Sequence, residues 1–385
     1  MTQNNHLNRR TVMKTLSGAA IGGSLLTGSA SARGPPERGR GPKNVVSIEA
    51  RHPDDGGDHY IFDFSTTEIE PGWTTFILEN QSGSTHLAPT VRAHPGTVDT
   101  VDTIIDDDGN DIDSRREAQI EIIAKPFQEA FDPYWAGDID MFTFFDELGD
   151  AIGAALLDAW PGEPAELVWE PAVPVGGPGL IQGNHTGRTT MYLEPGVYLM
   201  ECYVLDEDGV FHTNHMLESF EVIGDESNAA EPKEDAEISI NNSGITLHDS
   251  IDRPGRYTFG VTFEENQSYG HGLGHDVNLI RLDGDTHIDG EGDPEMDVNI
   301  WMNWLDAVPD EGFMYGQRGA LTSTSANPGP STWLGGVQDI SPVDAHQRAY
   351  FEASLQPGDY ALVAEIPDPL GQGFVETFTV DPSGK

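Results

Sequence analysis

Residues 193–222 read LEPGVYLMECYVLDEDGVFHTNHMLESFEV. A Pro-Gly turn at Pro195-Gly196 opens an alternating segment that runs to Cys202, an Asp-Gly turn follows at Asp208-Gly209, and FEV at 220–222 forms a short closing segment. Residues 355–371, LQPGDYALVAEIPDPLG, repeat the first part of this pattern, and FTV at 378–380 repeats its end. The match extends upstream. Pro71-Gly72-Trp73-Thr74-Thr75-Phe76 corresponds to Pro254-Gly255-Arg256-Tyr257-Thr258-Phe259, and His86 precedes Arg92 by the same six residues that separate His275 from Arg281. LLDAWP (156–161) and WLDAVP (304–309), then Gly176-Gly177 and Gly335-Gly336, continue the series in the same order. Matched blocks in one order signify an internal repeat.

Each copy consists of short segments rich in Val, Ile, Thr, Tyr and Phe between turn signals, which predicts an antiparallel β-sandwich. The chain is therefore expected to be mainly β: two tandem Greek-key sandwiches with a helical insertion in the first. The insertion falls within residues 115–160, where Phe145, Leu148, Ile152, Leu156 and Ala159 share a helical face that packs on the sandwich. Expected boundaries are a leader at 1–32, a Pro, Gly and Arg-rich linker at 33–43, a first domain at 44–224, an acidic linker at 225–237, and a second domain at 238–385.

The 385 residues include 65 Asp or Glu against 20 Lys or Arg, a formal net charge of -45. Such an excess repels phosphate backbones, so no nucleic-acid partner is expected. It suits a protein that must stay hydrated in concentrated salt, where self-repulsion is screened within about 3 Å at 1 M. Cys202 is the single cysteine, which excludes an intrachain disulfide and any site built on two thiolates.

The loop after Cys202 resembles the C-terminal ligand loop of the cupredoxins, in which a Tyr four residues before a strand-end Cys is followed by a His, a Met and a closing strand. Tyr198, Cys202, His212, Met216 and Val222 match that pattern, and ENQSGSTHLAP supplies the upstream His86. The resemblance implies cupredoxin-like domains and one type 1 copper in the first, held by His86, Cys202, His212 and Met216. Copper in a redox site takes two imidazoles, a thiolate and a weak axial thioether. The loop departs from the short cupredoxin pattern, with nine residues between Cys202 and His212, a longer spacing that resembles copper nitrite reductases. His215 is the alternative to His212, though a ligand His beside a ligand Met would strain both side-chain directions. The second copy is degenerate: Ala364 stands at the Cys position, no His or Met follows Gly371, and only His275 survives.

These residues lead to two readings. One is an exported, salt-adapted copper protein carrying single electrons to or from a redox protein partner. The other is a metal-free secreted binding or surface module built from two such sandwiches. A copper-dependent reductase would need a second copper ligated across subunits, for which His185, His215 and His271 offer only exposed-looking imidazoles. Neither principal reading makes the protein an enzyme.

The leader carries Arg9, Arg10 and Lys14 without an acid, then an apolar stretch to Ala30 and a small-x-small site at Ala30-Ser31-Ala32. NRRTVMK resembles the twin-arginine export signal, with Asn8 at the usual Ser or Thr. Export to the outside or the cell surface is expected, with no integral membrane segment in the mature chain. Weaker motifs are GHGLGHD (His271, His275, Asp276), whose H-x3-H lies on a Gly-rich loop, and the acidic runs 106–113 and 283–293, which lack the EF-hand glutamate.

Overall fold

The computed structural model describes residues 44–54, 56–93, 120–139, 143, 144, 147, 173–264, 275–289, 296–302, 323, 324, 329, 330, 332–340, 347–366 and 368–382. The leader, the first linker, the paired blocks at 156–161 and 304–309, the five-residue helical face from Phe145 to Ala159, His271 and the run 106–113 lie outside the described residues.

The fold is mainly β, two sandwiches in tandem. In the first half, β1 (Val45–Arg51), β2 (Ile61–Phe64), β4 (Gly72–Asn80) and β7 (Thr186–Leu193) make one layer. β3 (Glu68–Ile69), β5 (Thr90–Ala93), β6 (Val173–Pro174), β8 (Gly196–Glu201) and β9 (Leu217–Val222) make the other. The second half repeats the scheme, with β10 (Ala236–Asn241), β11 (Gly244–Leu247), β12 (Gly255–Phe263) and β15 (Arg348–Leu355) facing β13 (Val277–Arg281), β14 (Thr332–Val337), β16 (Gly358–Val363) and β17 (Val375–Val380). Alternation explains the layering: Val46, Ile48 and Ala50 of β1 are buried while Val45, Ser47, Glu49 and Arg51 are not. The sandwiches are not wholly antiparallel, because β1 pairs β4 and β10 pairs β12 in parallel.

The two halves share a sheet. Its order, β11-β10-β12-β15-β7-β4-β1-β2, reads the same way from either end, with β15 and β7 paired at the centre through Tyr350↔Thr190, Phe351↔Thr189 and Glu352↔Arg188. The repeat extends to single hydrogen bonds. Tyr198 donates to the Glu194 carbonyl at 2.7 Å and stacks on Phe220, while Tyr360 donates to the Gln356 carbonyl at 2.8 Å and stacks on Phe378. Each tyrosine thus fixes the turn that opens its own strand. The acidic linker crosses the seam, where Tyr192 donates to Glu226 at 2.7 Å and Ser227 N–H donates to the Pro71 carbonyl at 2.8 Å.

The described part of the insertion includes helix α1 (Lys125–Trp135), which carries Pro126 in its first turn and buries Phe127, Ala130, Phe131 and Tyr134. Among the described residues no helix is long and apolar enough to cross a membrane.

Pairing across the seam hides two strand edges that separate halves would expose. A chain ending at Gly224 is expected to self-associate through β7, seen as a concentration-dependent mass in sedimentation, whereas the whole chain sediments as a smaller assembly. A monomeric, fully cooperative truncated chain would show that the seam contributes little.

Candidate metal centre

The site forms where β8 ends. Cys202 follows this strand and sits fully buried, its N–H donating to the Met216 carbonyl at 3.0 Å. The Thr213 hydroxyl holds the Cys202 carbonyl at 3.0 Å. The chain then leaves through Val204, turns at Asp206 to Gly209, and returns so that His212 N–H donates to the Val204 carbonyl at 2.9 Å. Gly209 has φ +82°, and a Cβ there would fall 2.4 Å from the Trp135 ring, so this turn requires glycine.

Helix α1 seals the loop. Phe211 packs between Phe127 and Phe131, with ring centroids 4.7 and 4.4 Å away. The Gln128 carbonyl accepts from Phe211 N–H at 2.9 Å and from the Asn214 amide at 3.1 Å, and its amide donates to the Gly209 carbonyl at 3.1 Å. The insertion therefore does more than bury its own face.

His86 enters on an isolated bridge that precedes β5. It exchanges both backbone hydrogen bonds with Ile181, at 3.1 and 2.7 Å. Its ring lies with Nδ1 3.5 Å from Cys202 Sγ, and His212 Nδ1 lies 3.8 Å from the same sulfur. The three donor atoms fall within 4.8 Å of one another, all buried. Met216 is also fully buried, and its N–H donates to the His212 carbonyl at 2.7 Å, which ties it to the same loop. His215 is exposed and stacks on His59 at 4.0 Å, outside this group. His185 is exposed on its turn, with Nδ1 2.9 Å from the Gly183 carbonyl.

Hydrogen bonding fixes the tautomer of His86. Ser82 Oγ donates to Asn80 Oδ1 at 2.8 Å, so toward His86 Nε2, 2.9 Å away, it accepts. The proton is then on Nε2, and the Nδ1 lone pair faces the sulfur. Asn80 is held in turn by the Ser84 and Ile181 carbonyls at 2.7 and 2.9 Å. Tyr60 covers the two imidazoles edge-on, at 4.8 Å from His86 and 5.1 Å from His212, and its hydroxyl meets Ser84 Oγ at 2.7 Å.

Burial makes the group electrically neutral. It pushes the Cys202 thiol up to about 12 and lowers His212 to about 3, with exposed His215 adding to the second effect. His86 is lowered well below its ordinary value by burial and then by His212 and His52. His212 Nε2 is buried with no hydrogen-bond partner, a polar atom whose desolvation nothing offsets. Two neutral imidazoles, a sulfur and a buried thioether in a dry pocket fit one type 1 copper.

Among the described residues the second half holds no counterpart. Ala364 is buried at the Cys position, and His275 faces Phe374 at 4.9 Å. Asp276, beside it, is raised to about 7 by burial and is engaged with Asn278, Gln338 and the Glu365 N–H. From the acidic run that begins at Asp283, His287 Nδ1 lies 3.3 Å from Asp289 and 2.8 Å from buried Asp297, a group whose donor atoms fall within 4.8 Å of one another.

No family model matches the sequence, and a search of curated proteins returns no match. Solved structures of similar shape include dithionite-reduced auracyanin from Roseiflexus castenholzii, at 13% identity over 38% of this chain and 95% of that one, with a TM-score of 0.22. Auracyanin A, a blue copper protein from Chloroflexus aurantiacus, is 18% identical over 46% of this chain and 98% of that one, with a TM-score of 0.23. Copper nitrite reductase from Nitrosomonas europaea is 12% identical over 88% of this chain and 93% of that one, with a TM-score of 0.20. The assignment of the metal centre rests on its own atoms.

Replacing Ser82 with Ala removes the acceptor for His86 Nε2 and frees the ring to flip. The expected result is a loss of roughly 10–100-fold in Cu(II) affinity, read by chelator competition, with a thermal midpoint lower by a few degrees, since buried groups around Ser82 lose their partner. Because the metal-free thiol is protonated, cation uptake at neutral pH should release one proton. Affinity should therefore rise about tenfold per unit over roughly pH 6–9, the sign being that of a ligand that must deprotonate. Calorimetric titrations in buffers of different ionisation enthalpy measure the proton directly.

Proposed function

We propose that the protein is an exported, salt-adapted type 1 copper protein that carries single electrons through its first half. The observation that carries this reading is the convergence of His86 Nδ1, His212 Nδ1 and Cys202 Sγ in a fully buried pocket whose tautomer is set by Ser82. On this reading His86, Cys202, His212 and Met216 would hold the copper, and His215 would not. Copper bound there supplies a one-electron couple.

The chain's own residues do the rest. Ser82 holds the proton on His86 Nε2, Thr213 and the Met216 carbonyl hold the Cys202 backbone, and Gln128 pins the loop that bears His212. A loop tied at this many points moves little, which keeps the rearrangement that accompanies a change of charge small. Tyr60 and helix α1 exclude water. Salt adaptation rests on the -45 charge, and export by the twin-arginine route on residues 1–32. Residues 44–224 and 238–385 form the two domains in this reading, the second lacking metal and bracing the first, and a redox protein is the partner.

Titration of the mature protein with Cu(II) in high salt should give an intense visible band that bleaches with ascorbate. Cys202→Ser should abolish the band and leave the far-ultraviolet dichroism as it was. A wild-type protein that stays colourless with a reactive thiol would sink the copper reading and leave the metal-free binding module in its place.

A further inference from the structure

We propose that the junction of the two halves carries a binding site for a small multivalent oxyanion, a di- or tricarboxylate or a phosphate. A cleft of roughly 450 Å³ opens beside the seam, and Arg188 of β7, Arg256 of β12 and Arg281 of β13 line it. Among the described residues Glu352 is the one carboxylate in its wall. Both Arg256 and Arg188 pair with the same oxygen of Glu352, Arg188 at 3.5 Å, and that carboxylate is buried. Arg281 pairs with Asp283 at 3.2 Å, outside the cleft. Three guanidiniums thus face one lining carboxylate, in a chain with 20 basic residues against 65 acidic ones.

The fold does not require this charge. The repeat supplies an internal control, because each position has a counterpart in the other half. The turn LEPG at 193–196 matches LQPG at 355–358, so Glu194 corresponds to Gln356. In the first half Arg92 of β5 forms an ion pair with Glu194. In the second half the matching arginine, Arg281, lines the cleft along with a neutral Gln356 and donates to the Pro357 carbonyl at 3.2 Å. The counterparts of Arg256 and Arg188 are Trp73 and Tyr350, which meet edge to face at 6.4 Å. One side of the pseudo-symmetric seam is therefore closed by aromatic rings and an ion pair, and the other is open and cationic.

Guanidinium forks match carboxylate and phosphate oxygens in pairs, which selects an oxyanion over chloride. Thr186, Thr332 and Ser354 in the wall add hydroxyl donors. The long-range field of a polyanion opposes anion entry, yet concentrated salt screens that field within a few ångströms, about 3 Å at 1 M, and leaves contact pairs in place. A ligand here would touch strands of both halves and so favour the seam.

The test is calorimetric titration of the full chain, metal-free, with citrate in one arm and inorganic phosphate in the other, at fixed ionic strength in sodium chloride. Saturable binding of one ion per chain is expected in at least one arm, and the arm that binds tells a carboxylate ligand from a phosphate one. Arg256→Gln and Arg281→Gln should each weaken binding about tenfold or more. Gln356→Glu should abolish binding with the fold intact, since it rebuilds the ion pair of the first half, and it decides the matter where an arginine variant does not fold. No saturable binding in either arm, or binding that survives Gln356→Glu unchanged, would overturn the proposal.

Discussion

The pairing of β7 with β15 is the constraint on which the rest of the structure depends. Three residue pairs join two four-stranded layers into a single sheet, and the segment that precedes β7 is drawn into the same seam. Ile181 exchanges hydrogen bonds with His86 on one side and bridges Leu334 on the other, while Gln182 N–H donates to the Trp333 carbonyl. Ser323 adds a second brace, its hydroxyl accepting from Thr85 N–H and its own N–H donating to the Leu205 carbonyl. Both segments that deliver donors to this metal centre are therefore held from the second half.

That arrangement gives the degenerate copy a physical role. Tyr203, next after Cys202, sends its hydroxyl to Glu365 at 2.9 Å and Gln338 at 3.1 Å, both in the second half. Glu365 follows Ala364, the residue at the vacant thiol position. A copy that no longer shapes a metal pocket is free to spend its buried polar groups on its neighbour. Burying Tyr203 and Glu365 without each other would be costly, and paired they fix the strand that carries the sulfur.

Much of this was legible in the chain itself. Pro-Gly turns, alternation and the matched blocks gave the two sandwiches, because period and turn chemistry are local properties. Cys202, His212 and His86 were read from the resemblance of their loop to a ligand pattern, and the fold brings their donor atoms within 4.8 Å of one another. The support around them was not. Ser82 and Asn80 lie in a stretch whose only overt signal is a turn, and their value comes from hydrogen bonds to His86 and Ile181 that exist only once distant strands meet. Tyr60, Gln128 and Ser323 act across long separations for the same reason. The parallel pairing of β1 with β4 and the fusion of the sheets were equally invisible, since alternation names a strand's faces and not its neighbours.

The brace from Trp333 and Leu334 also sets an order of events. During synthesis His86 emerges long before the strand that will hold Ile181 in place, and β15 emerges later still. The contacts of Ile181 and Gln182 with Leu334 and Trp333 form only once that strand has been made. The pocket's bracing thus joins residues far apart in sequence, a topology that folds more slowly than a sandwich that closes on itself.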